Sequence, residues 1–404
     1  MIFRIAVRNL FRNKRRTLIV LTSVIAGTIA IILNDSVGNG MVKQMLENQI
    51  NLHTAYIQIH KKGFSDEKSV DRYIKNQEYI NSLLSSNSDI KFYSKRIITF
   101  GLLNSANSSS GVNIIGIEPE KEQFVTIIKR SLLEGNYPQT GKRDILIGKK
   151  MSEKLEVEVG DKVVAVSNTL DGTVKSELFR VCGIYQAGSS EFENTNVYIP
   201  IDFADSFIEM NRGVHEYAII TESLDDVDKT QSSLINQLGS DYELLNYREL
   251  LPLLVSYVDV YRKTVIVFYT IIGLAVFFGI VNTMLMSVME RIQEFGVLMS
   301  IGMKTKEIFK MVILESFVIG IVGTIIGFVV GNIIYSYFHY NGIDLRAFSE
   351  SLHSLGINAI IYPSLNLQLV INSLLVMPVT SVLGAIYPAL KATKLMPTDA
   401  MRYV

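Results

Sequence analysis

The 404-residue sequence has little charge and almost no cysteine. Only 19% of its residues are Asp, Glu, Lys or Arg, against about 25% in soluble proteins, whereas 48% are apolar. The single cysteine, Cys182, excludes an internal disulfide and a cysteine-based zinc cluster. The formal net charge is zero, so no overall basic character indicates nucleic acid as a partner.

Motifs for catalysis are also absent from the sequence. A P-loop needs two glycines separated by four residues and followed by Lys and Ser or Thr. Gly135 and Gly141 are separated by five residues, and an arginine follows the lysine. The five histidines have no metal-ligand spacing, and His215 begins no zinc-protease motif. The sequence therefore predicts a non-enzymatic chain with no catalytic residue, bound cofactor or metal.

Four segments are apolar enough to cross a bilayer, which takes roughly 20 residues of helix. We predict transmembrane helices at residues 17–34, 264–289, 311–340 and 366–390, the third being uncharged only after Glu315. The first could instead be a cleaved signal peptide, but its leader is long and no small-x-small cleavage site follows Leu33. Pro378 removes a backbone donor and is expected to kink the fourth helix.

The distribution of charge predicts the orientation of these helices. The leader 1–16 carries six basic and no acidic residues, whereas residues 35–263 carry 25 basic and 32 acidic residues. Basic segments stay in the cytoplasm, and the loop 290–310 and the tail 391–404 also have a basic excess. Both termini and the loop 290–310 are therefore predicted to be cytoplasmic. Residues 35–263 and the short loop 341–365 are predicted to be outside.

The long insert 35–263 is predicted to be an α+β domain carried on helical stalks. Helical patterns at Asp35–Asn51 and Asn246–Arg262 continue the first span outward and lead into the second. Between them, helical candidates such as Val70–Ser86 alternate with short β-rich runs. These runs are Tyr56–His60, Arg96–Leu103, Val112–Ile117, Asp144–Ile147, Lys162–Val166, Leu178–Tyr185, Val197–Ile201 and Tyr217–Thr221.

The loop after the second span has a distinct pattern. Between Glu290 and Gly302, charged and apolar residues alternate at helical spacing. An amphipathic helix would place four apolar side chains on one face, those of Ile292, Phe295, Leu298 and Met299. Two interpretations stay open, an interfacial helix that anchors the bundle or a docking helix for a partner chain.

The third span contains two overlapping G-x-x-x-G steps, formed by Gly323, Gly327 and Gly331. Small residues at this spacing allow close packing of helices in lipid, either within the chain or between subunits. Asn282 in the second span could form a hydrogen bond across helices or simply be tolerated. We expect Glu315 to snorkel or to pair with Lys310 rather than to relay protons.

Three separated stretches resemble the FtsX/MacB superfamily of ABC transporter permeases. They are Ala6–Leu10 with Arg12–Thr17, Asn282–Glu315 with Glu290–Gly302 at its centre, and Tyr387–Ala389 with Lys391–Arg402. The insert further resembles lipoprotein-releasing (Lol-type) permeases at Tyr56–His60, Asp144–Gly148, Phe179–Tyr185 and Asn246–Leu250. Tyr247 departs from that pattern, because a tryptophan is commoner there.

This resemblance implies a permease subunit in the inner membrane, with its large domain in the periplasm. Two permeases, copies or paralogues, would pair in lipid with a separate ABC ATPase that binds ATP and Mg²⁺. The stalks would transmit closure of the ATPase to the external domains, which would release lipoproteins to a periplasmic carrier. The alternatives are MacB-like efflux, FtsX-like mechanotransmission and, from another class, a membrane-anchored sensor or adhesion module.

The resemblance also gives the 290–302 loop a role in coupling to the ATPase. The residues expected to carry it are Glu290, Arg291, Glu294, Phe295, Gly296, Leu298 and Gly302. In this interpretation the charged positions meet polar groups of the ATPase and the apolar face packs into its groove. The basic leader 1–16 suits lipid headgroups better. Asn282 and the three glycines of the third span are expected to pack helices.

Overall fold

The structure is a computed structural model that describes residue 8 and residues 14–349, 352, 357–365 and 367–393. The chain divides into two compact units. The membrane unit takes its described residues from Met1–Lys43, Tyr257–Asp344 and Ile360–Val404, and the insert unit comprises Gln44–Ser256 with Leu345–Ala359. Most of the leader 1–16 and of the tail 391–404 lies outside the described residues.

The described helices in chain order are α1 (Lys14–Gln49), α2 (Gln77–Ser86), α3 (Pro119–Val125), α4 (Lys149–Leu155), α5 (Ser190–Thr195), α6 (Ile201–Ile208), α7 (Val227–Ile235), α8 (Tyr247–Leu250), α9 (Pro252–Glu290), α10 (Ile292–Ser300), α11 (Thr305–Asn341) and α12 (Leu367–Thr393). The strands are β1 (Ile57–Lys61), β2 (Ile90–Asn104), β3 (Ser109–Ile117), β4 (Leu132–Gly135), β5 (Asp144–Gly148), β6 (Lys162–Asn168), β7 (Val174–Tyr185), β8 (Asn196–Pro200), β9 (Glu216–Thr221), β10 (Tyr242–Asn246), β11 (Ile343–Asp344) and β12 (Ile360–Ile361).

Helices α1, α9, α11 and α12 are long and apolar enough to cross a membrane. They confirm the four predicted spans. Helix α11 begins at Thr305 rather than at residue 311, because Glu307 accepts a hydrogen bond from the Lys304 N–H (3.0 Å) and closes the first turn. Helix α12 contains both Pro378 and Pro388. The kink at Pro378 stays a prediction.

The insert unit is built on one mixed sheet and confirms the predicted α+β class. Its strand order is β10-β1-β9-β2-β3-β8-β5-β7-β4, and β6 pairs with β2 and β7. Strands β1 and β10 are antiparallel neighbours, with Ile57 opposite Asn246. Since β1 follows α1 and β10 precedes α8 and α9, this pairing brings the roots of the two stalks to one edge of the sheet.

Two predicted helices of the insert differ in the structure. Helix α2 begins at Gln77 instead of Val70, because Ile74 forms a β-bridge with Val214 (N···O 2.7 Å). The predicted helix Asn246–Arg262 is interrupted at Leu251, whose φ of −121° is not helical. Pro252 explains this break, because a proline disfavours the helical conformation of the preceding residue. Strands β4 and β10 have no counterpart among the predicted runs.

Candidate coupling site

The predicted amphipathic helix is present as α10. It starts directly after α9, with Arg291 in the N-cap position between Glu290 and Ile292. At its other end Gly302 has a φ of 101°, a left-handed conformation that glycine adopts without strain. The chain can therefore turn from α10 into α11 within four residues, 301–304.

Arg291 holds α10 against α11 from inside the membrane unit. Its side chain is almost fully buried, and Nη1 donates to both carboxylate oxygens of Glu315 at 3.0 Å. Its Nε donates to Glu294 Oε2 at 3.2 Å, and its guanidinium lies 5.1 Å from the centre of the Phe295 ring. The expectation that Glu315 pairs with Lys310 is therefore wrong, because the buried guanidinium of Arg291 forms charge-assisted hydrogen bonds with both of its carboxylate oxygens.

The apolar face of α10 packs into the chain itself. Phe295 is completely buried in a cluster with Val288, Ile308 and Met311, and Leu298 and Met299 pack against the same cluster. Ile292 and Gly296 are also buried. The chain's own helices therefore already cover much of the apolar face that was expected to enter a groove of the ATPase, and its burial there is favourable without a partner.

The opposite face of α10 is exposed. It comprises Gln293, Val297 and Ser300, and Ile301 follows directly after the helix. Val297 is 48% and Ile301 79% exposed, which leaves two apolar side chains beside polar ones. Glu290 is exposed and Glu294 is partly exposed next to this face, and Glu290 forms an ion pair with Arg16. We call Gln293, Val297, Ser300 and Ile301 the α10 outer face.

The glycines of the third span lie against α1. A Cβ added at Gly327 would meet Thr28 Cβ at 2.7 Å and the Ile25 carbonyl oxygen at 2.9 Å. Corresponding atoms at Gly323 and Gly331 would meet Val24 and Ile32 at 2.8 and 2.9 Å. The close contact is therefore within the chain. Asn282 is exposed on α9 and makes no side-chain hydrogen bond to another described residue.

Sequence reasoning missed two polar contacts between the membrane helices. Tyr269 on α9 donates a hydrogen bond to Asp35, which is buried on α1. The Ser316 hydroxyl on α11 donates to the Ser381 carbonyl on α12 at 2.6 Å. Asp35 could have been singled out as the first acid after an uncharged span, but nothing in the sequence points to Tyr269. Among the described residues no group of three His, Cys, Asp or Glu side chains could hold a metal ion.

Comparison with known proteins identifies the architecture. Residues 17–237, more than half of the chain, match the MacB-like periplasmic core domain, and residues 266–397 match the FtsX-like permease C-terminal domain. The chain belongs to the FtsX/MacB family of ABC transporter permeases. It is thus a multi-pass membrane protein with a periplasmic core domain between its first and second spans, and this permease family is non-catalytic.

The chain is similar to several ABC transporter permeases. The chain is 26% identical to an ABC transporter permease of Methanocaldococcus jannaschii over 61% of the chain and 58% of that protein. It is 26% identical to the macrolide export ATP-binding/permease protein MacB of Aggregatibacter actinomycetemcomitans over 80% of the chain, but it spans only 51% of MacB. It is 23% identical to the lipoprotein-releasing system transmembrane protein LolC of Neisseria meningitidis over 96% of the chain and 94% of LolC.

Proposed function

We propose that this permease couples ATP hydrolysis by a separate ABC ATPase to the release of lipoproteins from the inner membrane. The observation that carries the proposal is the end-to-end match to LolC, which covers 94% of that protein. In this proposal the permease acts as a pair, of copies or of paralogues, and passes its substrate to a periplasmic carrier. ATP and Mg²⁺ belong to the ATPase.

The docking surface for the ATPase is proposed to be the α10 outer face. The opposite face packs in the membrane unit, whereas the outer face presents exposed side chains to another protein. In this proposal Arg291 and Phe295 contribute to docking indirectly, because they fix the angle between α10 and α11. Exposed apolar side chains beside polar ones are typical of the centre of a protein interface.

Docking is tested by pull-down of the ATPase with Val297→Asp and Ile301→Asp variants. Both side chains are exposed, so a carboxylate there should leave the fold intact and place a charge in the interface. Ile235→Asp on α7 is the matched control, since Ile235 is also exposed but lies in the insert unit. Wild-type pull-down by both α10 variants would exclude this face.

Lipoprotein release is tested by depletion of the permease and by reconstitution. Depletion should leave labelled lipoproteins in the inner membrane. Proteoliposomes that hold the permease, its partner permease and the ATPase should release a lipid-anchored protein to a soluble carrier only with ATP. Unchanged lipoprotein sorting together with sensitivity to a macrolide or peptide would instead favour the MacB-like alternative, which is suggested by the 26% identity to MacB. A chain that copurifies with no ATPase would favour the sensor alternative.

A further inference from the structure

The first stalk ends inside the insert unit, where other elements bind its last carbonyl groups. A π-helical turn, Ile50–Thr54, follows α1, and its C-cap residue Ala55 returns a hydrogen bond to the Ile50 carbonyl (2.8 Å). The Asn51 carbonyl accepts from the Ile127 N–H at 2.9 Å, and the Thr54 carbonyl accepts from the Gln58 side chain at 2.8 Å. A helix end leaves such carbonyls without partners in the helix, so the bonds from Ile127 and from Gln58 of β1 fasten the end of the stalk to the insert unit.

The fourth of these carbonyl groups is bound by a cation. Arg96 Nη1 donates to the His53 carbonyl oxygen. A cation at the C-terminal end of a helix also interacts favourably with the helix dipole. Arg96 lies on β2, far from His53 in sequence, so this contact joins the stalk to the middle of the sheet rather than to a neighbouring turn.

The same guanidinium is held by two carboxylates. Nε and Nη2 of Arg96 donate to Glu122 of α3 at 3.1 and 2.7 Å, and Nη1 donates to Glu216 of β9 at 2.5 Å. All three side chains are buried. Burial by itself would lower the pKa of Arg96, but Glu122 and Glu216 raise it above the ordinary value, so the guanidinium stays charged.

Arg96 also lies where β2 changes partners. Toward its start β2 pairs with β9, and Arg96 opposite Glu216 is the last pair of that ladder. Toward its end β2 pairs with β3, and Arg96 opposite Ile117 is the first pair. Helix α3, which carries Glu122, follows β3 directly. One side chain thus connects the stalk end to both halves of the sheet.

We propose that Arg96 is the joint that transmits displacement of the first stalk to the whole periplasmic domain, a positioning residue for coupling. This inference rests on the proposed function only in that the permease receives work from an ATPase. A buried charge held from three directions resists reorientation, because any loosened contact leaves a charge or a carbonyl without a partner in a dry site. The substrate is not touched by Arg96.

The first test separates this role from a contribution to folding. Arg96→Met/Glu122→Leu/Glu216→Leu removes all three charges together, which buried ionic clusters often tolerate without loss of stability. The folded variant should bind the ATPase and hydrolyse ATP, while lipoprotein released per ATP falls about tenfold, near the upper range of coupling effects at single sites. A folded variant with a wild-type ratio would overturn the proposal.

A second variant covers the case in which the triple variant does not fold. Arg96→Lys keeps the charge, but one ammonium cannot reproduce the fork that contacts Glu122, Glu216 and the stalk. This variant should speed hydrogen exchange at the amides of residues 50–56. It should also lower the amount of lipoprotein released per ATP hydrolysed. Lys91→Met is the matched control, because Lys91 on β2 forms an exposed salt bridge with Glu222, which follows β9 directly. If Arg96→Lys has wild-type hydrogen exchange and releases the wild-type amount of lipoprotein per ATP, the proposed role of Arg96 is wrong.

Amide exchange also distinguishes failure of the joint from failure of the proposed function. In the wild-type complex, ATP should change exchange in β2 and β9 whatever the substrate is. If this change is present in the wild type and lost in both Arg96 variants, the proposed role of Arg96 is supported even where no lipoprotein is released. If the variants retain it, the joint is wrong even where the permease releases lipoproteins.

Discussion

Breaking the pair between Arg291 and Glu315 gives the sharpest prediction for the coupling site. Glu315→Gln removes the carboxylate that receives two bonds from Arg291 and leaves that guanidinium buried. Removing one partner of a buried ion pair costs about 3–5 kcal/mol. Glu294 remains 3.2 Å from Nε but is partly exposed, and such a pair contributes about 0–1 kcal/mol. We therefore expect a loss of about 2–5 kcal/mol in unfolding free energy.

The assay compares unfolding in detergent with pull-down of the ATPase. Arg291→Met/Glu315→Leu removes both charges and should recover most of the stability, since apolar replacement of a buried pair is often neutral. Weaker docking by Glu315→Gln would follow from a displaced α10, whose outer face is itself unchanged. Wild-type stability and wild-type docking of Glu315→Gln would refute the reasoning that this pair sets the position of α10.

Three further predictions concern the two units. Gly327→Leu should lower the stability of the membrane unit by about 1–3 kcal/mol in detergent through overpacking against α1, whereas Gly279→Ala, with 4.0 Å to the nearest atom, should not. A cysteine at Val174, which is 71% exposed, should react with an impermeant reagent from outside in a background lacking the native cysteine. Burial lowers the pKa of His60 and His215 from 6.5 to about 4. The unfolded chain then binds more protons below pH 6.5, so stability present above that pH should fall by up to about 3 kcal/mol per histidine between pH 6.5 and 4, measured by unfolding.

The membrane layout could be predicted because it depends on composition alone. An uncharged run of sufficient length has few alternatives to a membrane span, and the four runs all became helices. The α+β class followed in the same way from short β-rich runs between helical patterns. Pairing of β1 with β10 could not be predicted, because their residues are about 180 positions apart and local patterns carry no information on such partners.

The coupling site shows the same division between local and distant information. Helical spacing predicted which side chains of α10 share a face, and the structure retains that grouping. Spacing could not say which face another part of the chain covers. Arg291 and Glu315 are 24 residues apart on different helices, so the sequence offered Lys310 as the nearer partner for Glu315. The surface that we propose for docking of the ATPase is consequently the opposite face of α10 from the one expected.

Arg291 and Arg96 lie at the two ends of the proposed coupling pathway, and both form buried contacts with carboxylates. Each is a buried arginine next to a helix end, Arg291 in the N-cap position of α10 and Arg96 on β2, from where it binds the last turn of the first stalk. Each binds a carboxylate on another element, and we expect this contact to fix the direction of the helix. Buried ionic groups add little net stability, so a folding role alone does not explain two of them. A pathway that transmits displacement needs helices that are held rigidly at both ends. We propose that the contacts of Arg291 and Arg96 hold those helix ends in a fixed direction.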